Sequence, residues 1–135
     1  MRQYPAMPRP SLPRRSPRSR GTTSRRSPCP VACSLDLFGD RWTLLIVRDL
    51  ILGGSRFKDF IAAPEGIPTN ILSDRLTRLL ASGVVEQIPA TDGARRLAYQ
   101  LTAKGKALRP ILKAMRDWAL EWEPGTKAAL EKKRG

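Results

Sequence analysis

Three small polar residues near the start of one predicted helix have side chains that could hydrogen-bond to an external partner. Thr69, Asn70 and Ser73 lie away from an apolar stripe at helical spacing that consists of Leu72, Leu76, Leu79 and Leu80. Asparagine can pair with adenine through two hydrogen bonds, and serine or threonine can contact a base or a phosphate. This face therefore predicts recognition of nucleic acid, although a solvated polar face is the ordinary alternative.

Cationic side chains near this helix could bind phosphate groups of the same partner. Arg75 and Arg78 flank the leucine stripe, and Lys58 lies in the preceding predicted helix. Long cations tolerate many phosphate positions, so these residues are predicted to contact the backbone rather than the bases. Arg95 and Arg96 lie on a predicted loop and would suit a narrow, negative minor groove. For each cation the alternative is a solvated charge.

The chain lacks the residue combinations on which most catalytic and metal sites depend. It contains no histidine, and its 12 carboxylates form no evident pair. Neither a glycine-rich phosphate loop nor a nucleophile elbow occurs. The sequence therefore predicts a protein that is not an enzyme and that has no cofactor and no metal site.

The charge of the chain indicates a polyanionic partner but is distributed unevenly. Among 135 residues there are 25 lysines and arginines against 12 acids, a formal net charge of +13. Such a balance is typical of proteins that bind nucleic acid or an anionic membrane surface. Residues 1–28 hold eight arginines and no acid, so the other 17 basic residues exceed the 12 acids by only five.

The two ends of the chain differ in composition from its centre. Residues 1–28 are rich in arginine, proline and serine and are predicted to be a disordered basic tail. The ordinary explanation of this tail is a solvated segment with no specific role. A DNA-attracting arm, an overlong start and, as the weakest alternative, a transit peptide are also open. Residues 29–123 are predicted to form the folded domain and residues 124–135 a polar tail. No apolar run is long enough to cross a membrane, so a cytoplasmic, nucleoid-associated protein with no membrane partner is expected.

The first part of the predicted domain is helical. Pro30 suits the first position of a helix that Gly39 ends, and Asp40 is predicted to cap a central buried helix over about 41–52. Ser55 is predicted to cap a short third helix.

The periodicity changes after the polar helix, which is predicted over about 69–82. Alternating residues predict strands over 84–88 and 96–101, joined as a hairpin. Thr102 is predicted to cap a last helix, within which Pro110 should cause a kink. Four helices, a hairpin and a final helix are the order of a winged helix-turn-helix, so the predicted fold class is mostly α with a small antiparallel hairpin (α+β).

From Cys29 to about Trp122 the chain resembles the HxlR-type regulators of the MarR-like superfamily. The segments that carry the resemblance are Cys29-Pro30-Val31, Leu35-Asp36, Gly39-Asp40-Arg41-Trp42-Thr43-Leu44-Leu45-Ile46, Arg56-Phe57-Lys58-Asp59-Phe60, Gly66-Ile67, Leu72-Ser73-Asp74-Arg75-Leu76, Gly83-Val84-Val85-Glu86, Tyr99-Gln100-Leu101-Thr102, Gly105 and Trp118. The resemblance implies a homodimeric transcription regulator that binds a double-stranded DNA operator. Helix 69–82 would enter the major groove, and a wing over 89–95 would approach the minor groove.

The resemblance also implies that the first and last helices form the contacts between two copies of the chain. The apolar residues available for this are Val31, Leu35, Ile111, Met115, Trp118 and Trp122. The stripe on the last helix is longer than one small core requires, which fits a dimer contact, although an intramolecular core would use the same residues.

Two departures from the family pattern affect the predicted DNA contacts. Pro68 occupies a position where serine often caps the recognition helix, so Thr69 is expected to take over capping. The wing carries residues 89–94 in place of the usual tyrosine and proline lead-in, so its contacts are harder to assign.

The two cysteines, Cys29 and Cys33, offer a second kind of chemistry. Some HxlR-type regulators sense oxidants or electrophiles through a cysteine that matches Cys29, so an oxidant or small-molecule effector is a candidate partner. A thiol at a helix N-terminus has a lowered pKa, and the thiolate is the reactive form. Cys33 lies one helical turn further on, a poor span for a disulfide, so a link between subunits is easier to form. The alternative is that both are small buried hydrophobic residues.

The sequence thus favours a dimeric, sequence-specific DNA-binding regulator. The alternative is a winged helix that binds protein or RNA without reading DNA, because a fold alone does not determine function.

Overall fold

The computed structural model describes residues 26–90 and 97–127, which divide into two units between Gly39 and Asp40. The predicted wing residues Arg95 and Arg96 lie outside the described residues, as do most of the tail 1–28 and residues 128–135. Within the described ranges, no helix is long and apolar enough to span a lipid bilayer.

The first unit contains helix α1 (Pro30–Phe38), which starts and stops as the sequence predicts. Proline suits the first position because the N–H that it lacks would have no acceptor there. Cys29 precedes the helix in an extended conformation, and Gly39 follows it. None of the residues of α1 is buried, and Val31 and Leu35 are 60% and 53% exposed.

The second unit contains helices α2 (Thr43–Ile51), α3 (Phe57–Ile61) and α4 (Thr69–Ala81), strands β1 (Val85–Pro89) and β2 (Leu97–Leu101), and helices α5 (Ala103–Lys106) and α6 (Arg109–Trp122). The two strands pair antiparallel, with Val85 opposite Leu101. This confirms the predicted fold, a mostly helical winged helix-turn-helix with one small hairpin. Strand β1 begins and ends one residue later than predicted, and β2 ends at Leu101 as predicted.

The core of this unit forms where α2 and α4 pack on the hairpin. Apolar residues at three- and four-residue spacing turn one face of each helix inward. The buried apolar residues of the two helices are Ile46, Val47 and Leu50 of α2 and Leu72, Leu76 and Leu79 of α4. Three leucines of the predicted stripe therefore form the core face of α4, while the fourth, Leu80, is half-buried. The opposite face of the helix is exposed.

The predicted cap of α3 is wrong. Ser55 does not cap this helix; the carboxylate of Asp59 accepts hydrogen bonds from the backbone N–H groups of Ser55 (2.9 Å) and Arg56 (2.8 Å). Asp59, in the first turn of α3, therefore supplies the side-chain hydrogen bonds at the helix start that were predicted for Ser55.

The last predicted helix is two helices rather than one kinked helix. Thr102 caps α5 as predicted, since its hydroxyl accepts a hydrogen bond from the Gly105 N–H (3.1 Å). The chain then restarts as α6, in which Pro110 is the second residue. A proline in the first turn needs no acceptor for a missing N–H, so Pro110 helps to begin α6 instead of kinking a longer helix.

Candidate nucleic-acid interface

The exposed N-terminal face of α4 presents the three predicted base-reading residues. Thr69, Asn70 and Ser73 are all exposed, while Leu72 and Leu76 of the same helix are buried. Among the described residues, nothing hydrogen-bonds to the side chains of these three. We call Thr69, Asn70 and Ser73 the α4 polar face; its hydrogen-bonding groups are available to a ligand.

The expected capping by Thr69 is wrong. Pro68 is the residue that precedes α4, and its carbonyl accepts hydrogen bonds from the N–H groups of Ile71 (3.1 Å) and Leu72 (2.9 Å). Thr69 is the first helical residue and makes no capping hydrogen bond. The first turn of α4 therefore has no side-chain cap, and a helix start of this kind attracts phosphate.

The predicted phosphate-binding cations differ in how available they are. Lys58 is exposed and has no ion-pair partner in the part of the chain that the structure describes. The side chain of Arg78 is 58% exposed, with its Nε 3.3 Å from Oδ2 of Asp74. An exposed pair of this kind contributes little stability, so Asp74 is a weak competitor for Arg78. A phosphate contact by Arg78 remains a prediction.

Arg75 is already engaged within the domain. Its side chain is only 17% exposed, and its Nε donates to Oδ2 of Asp40 (2.9 Å) while its Nη1 donates to Oδ2 of Asp74 (2.5 Å). A phosphate contact by Arg75 remains a prediction, and it would have to compete with these two carboxylates.

Asp40 ties the start of α2 to the middle of α4. Its carboxylate accepts hydrogen bonds from the backbone N–H groups of Trp42 (2.9 Å) and Thr43 (3.1 Å), from the Thr43 hydroxyl and from Arg75. Burial disfavours the charged carboxylate, but these hydrogen bonds outweigh it and hold the pKa of Asp40 well below its ordinary value. The predicted capping by Asp40 is thus present, although α2 begins at Thr43.

A second ion pair, which sequence reasoning missed, holds the turn that leads into α4. Arg48 of α2 donates from Nη1 and Nη2 to the two carboxylate oxygens of Glu65, both at 2.8 Å, and also donates to Asp49. The bonds to Glu65 raise the pKa of Arg48, and they lower the pKa of Glu65. Bidentate pairing fixes direction as well as distance, so this turn is held against α2.

The middle of strand β2 is attached to the segment between α2 and α3. The Tyr99 N–H donates to the Ser55 carbonyl (2.8 Å), and the Tyr99 ring meets Phe60 edge to face, with centroids 6.2 Å apart. The paired strands are therefore fixed against the rest of the domain at Tyr99.

In the first unit, Cys29 is half-buried immediately before α1. Its N–H donates to the Ser27 hydroxyl (3.1 Å), and its carbonyl accepts from the Cys33 N–H (2.9 Å). The two cysteines are therefore one helical turn apart, as expected.

One face of α6 carries exposed apolar residues in the second unit. Their spacing of four, three and four residues is that of a coiled-coil seam. The residues, which we call the α6 seam, are Ile111 (42% exposed), Met115 (50%), Trp118 (59%) and Trp122 (64%). The α6 seam is therefore not part of the core of the described chain, whereas Leu112 of the same helix is buried.

Known proteins are similar to this chain over most of its described residues. Residues 37–127 match the model of the HxlR-like helix-turn-helix family. YvaP of Bacillus subtilis (strain 168), an uncharacterised HTH-type transcriptional regulator, is 40% identical over 89 residues, which are 66% of this chain and 82% of YvaP. The HTH-type transcriptional regulator YodB of the same organism is 33% identical over 107 residues, which are 78% of this chain and 96% of YodB.

Solved structures of transcription regulators also superpose on this chain. The candidate transcription factor PA1607 superposes with a TM-score of 0.69 at 40% identity, covering 77% of this chain and 73% of PA1607. The reduced form of YodB superposes with a TM-score of 0.61 at 33% identity, covering 73% of this chain and 98% of YodB. Quinone-bound YodB superposes with a TM-score of 0.59 at 32% identity, covering 70% and 100% of the two chains.

Proposed function

The chain belongs to the HxlR-like helix-turn-helix family, and from this membership we propose that it is a dimeric regulator that recognises a specific sequence of double-stranded DNA. The observation that carries the proposal is the α4 polar face, which is exposed and unpartnered among the described residues. These three residues would contact base edges in the major groove. The residues proposed to bind the DNA backbone or the minor groove are Lys58, Arg75, Arg78, Arg95 and Arg96.

Two ion pairs between α4 and α2 and between the preceding turn and α2 support a role in DNA recognition, because they position α4 in the absence of DNA. The Asp40–Arg75 pair attaches the middle of α4 to the start of α2, and the Arg48–Glu65 pair attaches the preceding turn to α2. A recognition helix that is already held in position loses less conformational entropy when it binds DNA.

We propose that two copies associate through the α6 seam, with Val31 and Leu35 of α1 adding contacts. Large exposed apolar surfaces commonly mark protein–protein contacts. A twofold dimer places its two reading helices on half-sites about 10 bp apart, or a multiple of that spacing.

Separate substitutions on α4 should distinguish base reading from phosphate binding. The specific ligand is a duplex that the natural chain selects from a random pool. Asn70→Ala and Ser73→Ala should each weaken binding to this duplex about tenfold, because a lost base contact costs about 1–3 kcal/mol. Binding to random duplex should hardly change. Fluorescence anisotropy at several salt concentrations measures both affinities.

Arg78→Ala is the matched contrast on the same helix. It should weaken binding to both duplexes and reduce the slope of log K against log salt by about one, since one phosphate contact is lost. Two results would contradict recognition of bases by α4: a selection that enriches no duplex, or an Asn70→Ala variant whose affinity falls equally for the selected and the random duplex. Binding of RNA or protein would then be the better explanation.

We also propose that Cys29 makes the regulator responsive to electrophiles. The support is its place before α1 and the similarity to YodB, which has been crystallised with a quinone. The Cys29 thiolate would add to a ring carbon of a quinone. A C–S bond forms and one quinone oxygen takes up a proton from solvent; the C–H bond of the attacked carbon then breaks and that proton moves to the second oxygen. The product is the substituted hydroquinone, so the quinone itself is the oxidant that is reduced.

Treatment with 1,4-benzoquinone should shift DNA affinity in the natural chain and leave the Cys29→Ser chain unchanged, because serine has no thiolate to form the adduct. Mass spectrometry should find the adduct on a peptide that contains Cys29. The control is Cys33→Ser, which should respond like the natural chain. An equal response of the Cys29→Ser chain would contradict this role.

A further inference from the structure

Asp74 lies at the centre of the exposed side of α4. Residues four positions apart lie above one another on a helix, so Asn70, Asp74 and Arg78 form one row along this side. At about 100° per residue, the row lies opposite the buried Leu72 and Leu76. All three residues of the row are exposed, Asp74 to 54% of its side chain. A partner that meets Asn70 on α4 therefore also meets the Asp74 carboxylate.

The Asp74 carboxylate uses only one of its oxygens within the described part of the domain. Its Oδ2 accepts a hydrogen bond from Nη1 of Arg75 (2.5 Å) and lies 3.3 Å from Nε of Arg78. Among residues 26–90 and 97–127, no group hydrogen-bonds to Oδ1. Arg75 does not depend on Asp74 alone, because its Nε also donates to Asp40 (2.9 Å). Oδ1 is therefore available as an acceptor without any change in the attachment of α4 to α2.

An acceptor that carries a negative charge restricts which base edges α4 can approach. An ionised carboxylate can only accept hydrogen bonds. In the major groove guanine presents only acceptors, thymine an acceptor and a methyl group, and adenine an acceptor beside its amino group. Cytosine presents its N4 amino group without a neighbouring acceptor. Cytosine is therefore the base that Asp74 can contact with the least electrostatic repulsion.

We propose that Asp74 is a specificity-determining residue, which accepts a hydrogen bond from the N4 amino group of a cytosine in each half-site. The inference rests on the proposed function, because it requires α4 to enter the major groove. Oδ1 would accept from the cytosine while Oδ2 keeps its bond to Arg75. The exposed and longer contact to Arg78 would yield first, which frees this guanidinium for a phosphate.

Asp74 would also weaken binding to sequences that lack this cytosine. On such a duplex the carboxylate faces base acceptors and phosphate groups, and nothing on the DNA compensates its charge. Specificity is a difference between affinities, so a residue that penalises the wrong duplex raises specificity just as one that favours the right duplex does. Asp74 combines both effects in one side chain, whereas the neutral residues of the α4 polar face carry no charge that DNA repels.

The test begins with a selection of duplexes from a random pool, made in parallel with the natural chain and with Asp74→Asn. Asparagine has nearly the same shape as aspartate, but it carries no charge and pairs with adenine. We expect the natural chain to enrich cytosine at one position of each half-site. Asp74→Asn should replace that cytosine with adenine and keep the preferences at the other positions.

Affinities measured by fluorescence anisotropy give a second readout, which a purely structural carboxylate would not produce. Asp74→Asn should bind a random duplex about threefold more tightly, because a negative charge that faces DNA is removed. The ratio of its affinities for the duplex selected by the natural chain and for the random duplex should fall about tenfold. Loss of a structural contact would instead weaken binding to both duplexes equally.

Asp117→Asn is the matched control for Asp74→Asn. Asp117 is 56% exposed and pairs with Arg116 at 3.0 Å on α6. This variant therefore has the same net charge as Asp74→Asn but an unchanged α4. It should keep the selected sequence and the affinity ratio of the natural chain.

The inference would be overturned if the natural chain and Asp74→Asn select the same sequence, if the affinity ratio is unchanged, or if Asp117→Asn changes the ratio equally. If the natural chain enriches no duplex, the proposed function is contradicted and the inference fails with it. If the natural chain enriches a duplex that Asp74→Asn selects unchanged, only the inference is wrong, so the two failures are distinguishable.

Discussion

If two copies pair as proposed, a chain with Trp118→Glu should be monomeric at concentrations where the natural chain sediments as a dimer. Trp118 lies at the centre of the α6 seam and is 59% exposed in the single chain. Removing a central aromatic anchor costs about 2 kcal/mol or more, and a twofold interface contains it twice. The dimer dissociation constant should therefore rise about a thousandfold. Sedimentation equilibrium measures this change directly.

The same variant should lose most of its affinity for a two-site operator. Two linked reading helices gain about 100-fold or more over one, because the second contact is made at high effective concentration. Circular dichroism should show unchanged helix content, since the Trp118 side chain lies outside the core.

Leu120→Glu is the matched control for Trp118→Glu. Leu120 is also an exposed apolar residue of α6, at 43%, but it lies outside the α6 seam. This variant should remain dimeric. If both variants remain dimeric, or both dissociate, the assignment of the dimer contact to the α6 seam is wrong.

The second large effect concerns the stability of the domain. Asp40→Ala should lower the free energy of unfolding by about 2–3 kcal/mol, because it removes the acceptor for α2 and leaves Arg75 without its main partner. The side chains of Asp40 and Arg75 are 25% and 17% exposed, so solvent screens the pair only in part. Urea denaturation followed by circular dichroism measures this loss.

The pH dependence of this contribution follows from the low pKa of Asp40 in the folded chain. A carboxylate with a lowered folded pKa stabilises the fold above its ordinary pKa of 3.8, and the stabilisation is lost as the pH falls below that value. The natural chain should therefore lose stability between about pH 5 and pH 2. Glu65, whose pKa is lowered by hydrogen bonds from Arg48, should contribute in the same direction.

Asp40→Asn separates the charge of Asp40 from its capping role. Asparagine still accepts hydrogen bonds at a helix start, but it has no charge for Arg75. This variant should lose less stability than Asp40→Ala at pH 7, and its stability should fall less steeply in acid than that of the natural chain. An acid profile identical to that of the natural chain would mean that Asp40 is not the titrating group.

Local patterns in the sequence determined the elements and the face that each one buries. The leucines of α4 recur at helical spacing, so burial of Leu72 and Leu76, and with it exposure of Asn70 and Ser73, followed from periodicity. The end of α1 before Gly39 and the cap at Thr102 were equally local, since each depends on residues within one turn. The hairpin followed from the change to an alternating pattern.

Only the tertiary structure decided which distant charges meet. The sequence predicts that Arg75 of α4 binds phosphate, because nothing in the sequence shows which acidic residue lies next to its guanidinium. Its bond to Asp40 joins residues 35 positions apart, and it exists because α2 and α4 pack on the same hairpin. The Arg48–Glu65 pair has the same origin. Periodicity specifies which face of a helix is buried, but the neighbours of each charge depend on how the helices cross, and packing of the whole domain sets that.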